Sequence, residues 1–455
     1  MTEHASGYTQ GFGAGWSADQ TPQHIDCDAD QAPQHIDNDT DRVPQHVSCD
    51  ADQAPQHVSR DADQTPQHID CDVDQAPQID WSSVPSPSYV VDERLLIRNL
   101  RLLREVANAA DCRILLAQKG FSMFSLYPVI AEYLSGATAS SLHEARLAAE
   151  EMKKEVHICS PAYRADEFVE IARTCSHIVF NSFSQWCAYR SSVGNVKCGI
   201  RINPGYSEID VELYNPCAPF SRLGVTPETF FRESHMLDGL TGLHFHTMCE
   251  QNSDTLLRTL NIVRERFGSF LPRFEWVNFG GGHHITRNGY DLETLVRCVR
   301  EFSDEFGVLV YLEPGEAIAL NAGFLVSTVL DIVDNGMMLA IMDASATCHM
   351  PDVLEMPYRP HVLGSQPTHS SKSHPYAYRL GGPSCLAGDI IGDYSFKTPL
   401  SPGDRLVFTD MAHYTMVKNN TFNGIGLPSI ILNALSGGLK TIRTFGYEDF
   451  KRRLS

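Results

Sequence analysis

The sequence lacks several features that would have placed it quickly. It has no run of about 18 apolar residues, so no membrane-spanning helix is expected. No basic segment followed by an apolar stretch opens the chain, so no secretory leader is read. The thirteen cysteines are odd in number and lack the compact spacing of a disulfide framework. These absences lead to the expectation of a cytoplasmic protein with reduced thiols. Basic charge is also scarce, with 36 Lys and Arg against 56 Asp and Glu and a net charge of −20. A nucleic-acid partner is excluded by the want of a basic footprint. The imbalance is concentrated at one end. Residues 1–80 hold sixteen of the acids and only two of the bases, Arg42 and Arg60, so the remaining 375 residues carry a net charge of only −6.

What that first segment does have is a repeat. Pro-Gln-His-Ile/Val starts at Pro22, Pro33, Pro44, Pro55 and Pro66, and a degenerate copy, Pro77-Gln78-Ile79, closes the series. A proline every eleven residues rules out a helical supercoil. High negative charge and few large apolar groups cannot repay the entropy of ordering. Residues 1–83 therefore read as a disordered, expandable tail. A second reading is weak metal capture, because His24, Cys27, Asp28 and their repeats offer suitable ligands.

Order begins near Tyr89, with residues 84–92 read as a strand. Asp92 can cap a helix whose Leu96, Leu100, Leu103 and Ala107 follow helical spacing. Short apolar strands then alternate with helical stretches. Eight are predicted: Ile114–Ala117, Thr138–Ser140, Val156–Cys159, His177–Phe180, Cys198–Ile202, Gly242–His246, Trp276–Phe279 and Val308–Leu312. This is the pattern of a (β/α)8 barrel over residues 93–324. After Leu325 the texture changes. Leu325–Val333, Asn335-Gly336 and Met338–Asp343 read as a hairpin with a turn dipeptide. Residues 325–455 are predicted to form an all-β second domain, which the strand near Tyr89 completes.

Active sites of such barrels lie at the C-terminal ends of the strands, so polar groups there are informative. Lys119 follows the first strand; a partly desolvated lysine at the barrel mouth can act as a nucleophile, although a lone lysine is usually a surface group. Gly280, Gly281 and Gly282 follow the seventh strand, where a phosphate site is typical, and they read either as an anion cradle or as a flexible turn. Glu313 ends the eighth strand and could face a protonated ring nitrogen or cap the next helix. His244 and His246 share one face of the sixth strand. In the second domain, Cys385 could donate a proton or be an inert buried thiol, and Tyr414 could donate to phosphate or simply pack. No metal site is read in the folded part.

Taken together, these segments resemble the fold type III pyridoxal-phosphate-dependent decarboxylases, the alanine racemase-like family. The order is lysine after strand one, histidine after six, triple glycine after seven, Glu-Pro-Gly after eight, then Gly-Pro-Ser-Cys and a late tyrosine. The fit is closer still to the carboxynorspermidine/carboxyspermidine decarboxylase branch. It rests on segments such as Gln118-Lys119-Gly120-Phe121, Tyr214-Asn215-Pro216-Cys217, His244-Phe245-His246-Thr247 and Gly392-Asp393-Tyr394-Ser395-Phe396, and it covers roughly residues 85–435. The resemblance implies pyridoxal 5'-phosphate as cofactor and a polyamine substrate. It also implies roles: Lys119 carries the cofactor, His246 stacks on its ring and Glu313 pairs with its nitrogen. Gly280, Gly281, Gly282 and Tyr414 hold its phosphate. Cys385 and Asp389 come from a partner subunit, which implies a homodimer with shared active sites, and Arg201 and Glu144 support the site.

One departure from the wider family is informative. Ornithine and diaminopimelate decarboxylases usually carry Glu-Pro-Gly-Arg, whereas Glu316 stands here in place of the arginine. A carboxylate disfavours a second substrate carboxylate and favours an amine. Glu316 and Asp352 are therefore expected to grip ammonium groups of the substrate. Asp352 has no obvious cation nearby in sequence. The rival readings are a diaminopimelate-type decarboxylase, a non-catalytic cofactor-binding protein and an inactive partner of a decarboxylase. Glu316 opposes the first, and the presence of Lys119 and Cys385 opposes the others.

Overall fold

The computed structural model describes residues 79–455, apart from Pro357 and residues 368–371. The repeat segment and both readings of it lie outside these residues up to Gln78. A first strand, β1 (Ser88–Asp92), leads into the helix Glu93–Ala110. The Asp92 side chain accepts from Leu95 N–H at 2.9 Å and caps that helix. Leu96, Leu100 and Leu103 are fully buried along one face as their spacing predicts, and Val106 is buried beside them where the predicted Ala107 is only partly covered.

Eight parallel strands follow and close on themselves. They are β2 (Arg113–Ala117), β3 (Gly136–Ala139), β4 (Glu155–Cys159), β5 (His177–Phe180), β6 (Lys197–Arg201), β7 (Gly242–His244), β8 (Trp276–Asn278) and β9 (Leu309–Leu312). The predicted barrel is thus present, strand for strand. Strand β7 is two residues shorter than predicted. Phe245 N–H still donates to Asn278 O at 2.9 Å, but His246 then leaves the ladder for the cavity above. Helices such as Ser253–Phe267 and Leu292–Phe306 cover the outside, each burying an apolar stripe.

The inside of the barrel is unusual toward its N-terminal end. Bulky branched residues commonly fill such layers. Here Trp276 and Tyr311 share the interior with His157 and His177. The indole occupies space left by Gly199 and Gly242. A Cβ on Gly242 would stand 1.9 Å from the Trp276 ring, and one on Gly199 would stand 2.5 Å from it.

The second part is a mixed nine-stranded sheet. Strand β10 (Gly323–Asp334) and β11 (Met338–Met342) form the predicted hairpin. The others are β12 (Ser365–Pro367), β13 (Tyr376–Gly381), β14 (Ile390–Phe396), β15 (Arg405–Thr409), β16 (Ser429–Asn433) and β17 (Leu439–Arg443). As predicted, β1 completes this sheet, pairing antiparallel with β10 and parallel with β16. The sheet also carries short helices, Ala346–His349, Asp352–Glu355 and Tyr447–Arg452, which the all-β reading did not include. Its contact with the barrel is direct: Tyr414 N–H donates to Gly120 O at 2.7 Å. The cysteines among the described residues are free, and no helix among them is long and apolar enough to cross a membrane.

Candidate active site

A cavity of about 1050 Å³ opens at the C-terminal ends of the barrel strands and is roofed by segments of the sheet. Its deep wall is built by neighbouring strands. Glu313, just past β9, accepts from Asn278 Nδ2 of β8 at 2.7 Å and faces His244 Nε2 of β7 at 3.6 Å. Burial alone would push this carboxyl up, but His244 and Asn278 outweigh it and hold Glu313 at about 2. Burial pulls His244 down, against the pull of Glu313. The pair is a carboxylate facing a neutral imidazole. Glu313 does not cap the following helix, whose first turn has no side-chain cap.

Lys119 stands at the end of β2 and lines the same cavity. The residue is exposed to solvent through the cavity, whose walls surround its amine at depth. That desolvation lowers its proton affinity; Glu313 opposes the shift and Arg201 adds to it. Among the described residues no hydrogen bond or ion pair holds its amine. Gly120 explains how the turn fits, because a Cβ there would lie 2.8 Å from Gly315 Cα. The loops after β2 and β9 thus meet glycine to glycine.

The glycine run has a different logic from the one predicted. Gly280 N–H donates to Asn278 Oδ1 at 2.8 Å, and Gly281 N–H donates to His246 Nδ1 at 2.9 Å. Two of the three donors are therefore consumed inside the protein. Of the three, Gly282 N–H alone has no acceptor among the described residues. Glycine is required here by close approach. A Cβ on Gly282, whose φ is +86°, would stand 2.1 Å from Met248 O. Gly281 and Gly282 line the cavity, and Gly280 lies just behind them. His246 also lines it, oriented by the Gly281 N–H, and burial and nearby Lys119 keep it neutral. The Tyr414 hydroxyl completes this wall, 3.5 Å from the position a Cβ on Gly315 would take. Arg201 lies beside Cys159, and the Glu144 carboxylate accepts from Ser140 N–H at 2.6 Å.

The rim is acidic, and sequence reasoning found only part of it. Glu316 lies 3.5 Å from His284 Nε2 and 3.8 Å from His413 Nδ1. His413 also lies 3.5 Å from Asp410. Burial raises the Glu250 carboxyl, and the neighbouring Glu316 raises it further. Burial works against His413, but Asp410 and Glu316 raise its proton affinity. His284 and His413 flank motifs already noted, so the signal was present in their neighbours; Glu250 had none. Asp352 also lines the cavity, but it does have a cation. Lys418 pairs with both Asp352 and Glu355, a partner 66 residues away that no local pattern reveals.

Two assigned residues lie elsewhere. Cys385 is exposed on the sheet, with its N–H held by Asn423 Oδ1 at 2.9 Å, so it is not an inert buried thiol. Asp389 is buried, and its carboxylate is fully engaged. It accepts from Ser345 Oγ at 2.8 Å, Ser384 Oγ at 2.6 Å and Thr347 N–H at 3.1 Å. Within its own chain Asp389 braces the loop that presents Cys385. Neither residue lines the cavity of its own chain.

The residues present fit a flat, anionic pyridoxal phosphate. The cavity offers an ionised carboxylate at its base, a desolvated lysine, and a glycine wall that no side chain could replace. The family model described as pyridoxal-dependent decarboxylase, C-terminal sheet domain, matches residues 47–412. A carboxyaminopropylagmatine decarboxylase from Synechocystis is 47% identical over 377 residues, covering 82% of this chain and 96% of the relative. A carboxynorspermidine/carboxyspermidine decarboxylase from Campylobacter jejuni is 43% identical over 381 residues, covering 82% and 99%. The crystal structure of carboxynorspermidine decarboxylase complexed with norspermidine, also from Campylobacter jejuni, superposes with a TM-score of 0.76 at 42% identity. It covers 81% of this chain and 100% of that one.

Proposed function

We propose a substrate class on one premise: this chain belongs to the pyridoxal-phosphate-dependent decarboxylases, as the family match and its similar relatives establish. The substrate is a carboxylated polyamine, carboxynorspermidine or carboxyspermidine, which loses its carboxylate as carbon dioxide. The observation that carries this reading is the acidic rim. Glu316, Glu250 and Asp410 line the cavity, and their carboxylates suit the ammonium groups of a polyamine rather than a second carboxylate.

When bound, the cofactor supplies an electron sink for the pair left on carbon as carbon dioxide departs. The protein's own groups do the rest. The neutral amine of Lys119 is the nucleophile that holds the cofactor, favoured by its desolvation. Glu313 keeps a fixed negative charge that would face the ring nitrogen, and Gly282 N–H and the Tyr414 hydroxyl would hold the phosphate. Glu316 and Glu250 orient the chain of amines, so that the scissile bond is aligned and water is excluded. Cys385, exposed on its own chain, returns the proton in a homodimer whose subunits share their sites. The setting is the cytoplasm.

A second reading has a specific observation behind it. The 47%-identical relative is named for carboxyaminopropylagmatine, whose distal group is a guanidinium rather than an ammonium. The decisive measurement is kcat/KM on carboxynorspermidine, carboxyspermidine, carboxyaminopropylagmatine and diaminopimelate side by side. Either kind of polyamine should exceed diaminopimelate by about 100-fold or more, since a missing partner for a buried polar group is costly. Comparable rates on diaminopimelate would sink the proposal, and the best polyamine names the distal group.

A further inference from the structure

We propose that Glu155, His157 and His177 form a divalent transition-metal site at the N-terminal end of the barrel, opposite the cavity. One ligand atom from each residue lies within 4.8 Å of the others. His157 and His177 are direct partners in the parallel ladder of β4 and β5. Their rings stack with centroids 3.8 Å apart, and His157 Nε2 lies 3.3 Å from Glu155 Oε2.

The orphaned nitrogens point to a ligand. His157 is 1% exposed and His177 is 4% exposed. No hydrogen bond reaches His157 Nδ1 or His177 Nε2. The tautomer of His177 can be argued from Ser176. Its hydroxyl lies 3.0 Å from Val156 O, 3.1 Å from Val156 N and 3.1 Å from His177 Nδ1. A hydroxyl has one proton, and Val156 O can only accept. When the hydroxyl donates to Val156 O, it accepts from Nδ1–H, and Nε2 is left as a bare, buried lone pair. This is the arrangement of an imidazole metal ligand, one nitrogen held from behind and the other free. Glu155 is braced similarly, since the Tyr311 hydroxyl donates to its Oε2 at 3.2 Å.

Access and selectivity follow from the surroundings. A separate cavity of about 750 Å³ is lined by Glu155 and His177 and brings solvent-accessible space to one side of the cluster. Arg113, Arg173 and Lys197 line it too. Such a field rejects hard cations that need several oxygen ligands and leaves ions that favour imidazole, such as zinc or cobalt. Arg113 is the competitor. It pairs with Glu155 Oε1, but it is 44% exposed and can swing into water when an ion arrives.

The test uses the full chain with its cofactor, stripped by a chelator and titrated with Co²⁺, then competed with Zn²⁺. Histidines and cysteines of the repeat segment can also take metal, so the reading is a difference between variants. The wild type should bind one equivalent more than His177→Gln, and Arg113→Gln should bind that equivalent about 10-fold more tightly. Equal stoichiometry in wild type and His177→Gln, with no tightening in Arg113→Gln, overturns the site. Should His177→Gln fail to fold, Arg113→Gln decides alone, because tightening requires an ion that displaces the guanidinium.

Discussion

The two ends of one barrel place histidine beside glutamate in different ways. At the C-terminal end, Glu313 is buried, hydrogen-bonded to Asn278 and held ionised at about 2 while His244 stays neutral. The charge there faces a cavity lined by Lys119. At the N-terminal end, Glu155 is half-buried and already neutralised by Arg113, and the stacked pair of His157 and His177 meets Trp276 and Tyr311 at steep ring angles. The same residue types make an unspent charge at one end and a packed plug at the other. Burial of a carboxylate without its own cation is costly and signals chemistry. Burial of neutral rings with stray nitrogens costs less and signals packing or a ligand.

This contrast can be broken in order of expected effect. Lys119→Ala should reduce turnover by on the order of 10⁴-fold or more, as loss of a nucleophile does. It should also abolish the visible absorbance of the bound cofactor. Because no protein partner holds the amine, the urea midpoint of the variant should match or exceed that of wild type freed of cofactor, a reference that removes the cofactor's own stabilisation. A large fall in stability would mean that this end of the barrel also bears the fold. Gly242→Ala tests the other end. A Cβ placed 1.9 Å from the Trp276 ring must displace it, and overpacking costs about 1–3 kcal/mol. Urea unfolding should register that loss while kcat per folded molecule changes less than about twofold. A matching collapse of kcat would show that the plug positions the active-site wall.

How much of this was legible in sequence depended on distance along the chain. The barrel strands and the helix capped by Asp92 were visible because hydrophobic period and cap lie within a few residues. The wall formed by Lys119, Glu313 and the glycine run was visible because strand order assigns each its place at the mouth. What the glycines do was not visible. Gly280 and Gly281 spend their N–H groups on Asn278 and His246, a choice fixed only when neighbouring loops meet. Lys418 reaches Asp352 from 66 residues away, and Ser345 reaches Asp389 from 44. The plug was hidden for a similar reason: His157 and His177 look like ordinary strand residues until register stacks them.

The smallest expected effect lies on the loop that carries Glu212, Tyr214 and Asn215 to the cavity rim. Glu208, at the base of that loop, accepts a fork from Arg258, with Nε to Oε1 at 2.5 Å and Nη2 to Oε2 at 2.7 Å. Thr255 Oγ1 donates to the same carboxylate at 3.1 Å, and Gln251 Nε2 donates to the Glu208 carbonyl at 3.0 Å. The Arg258 hydrogen bonds outweigh burial and hold Glu208 at about 2, below its ordinary 4.5. The pair is open to solvent, so Arg258→Ala should cost only about 0.2–1 kcal/mol at neutral pH. A depressed carboxyl lends its stability above the unfolded value. The gap between wild type and variant should therefore be full above about pH 4.5 and close as pH falls toward about 2. Steady-state kinetics should show KM for the polyamine rising by no more than about threefold with kcat unchanged, because only ground-state positioning is loosened. A fall in kcat at constant KM would instead put the loop among the groups that act in the transition state. The division between the two ends of the barrel would then extend to its rim.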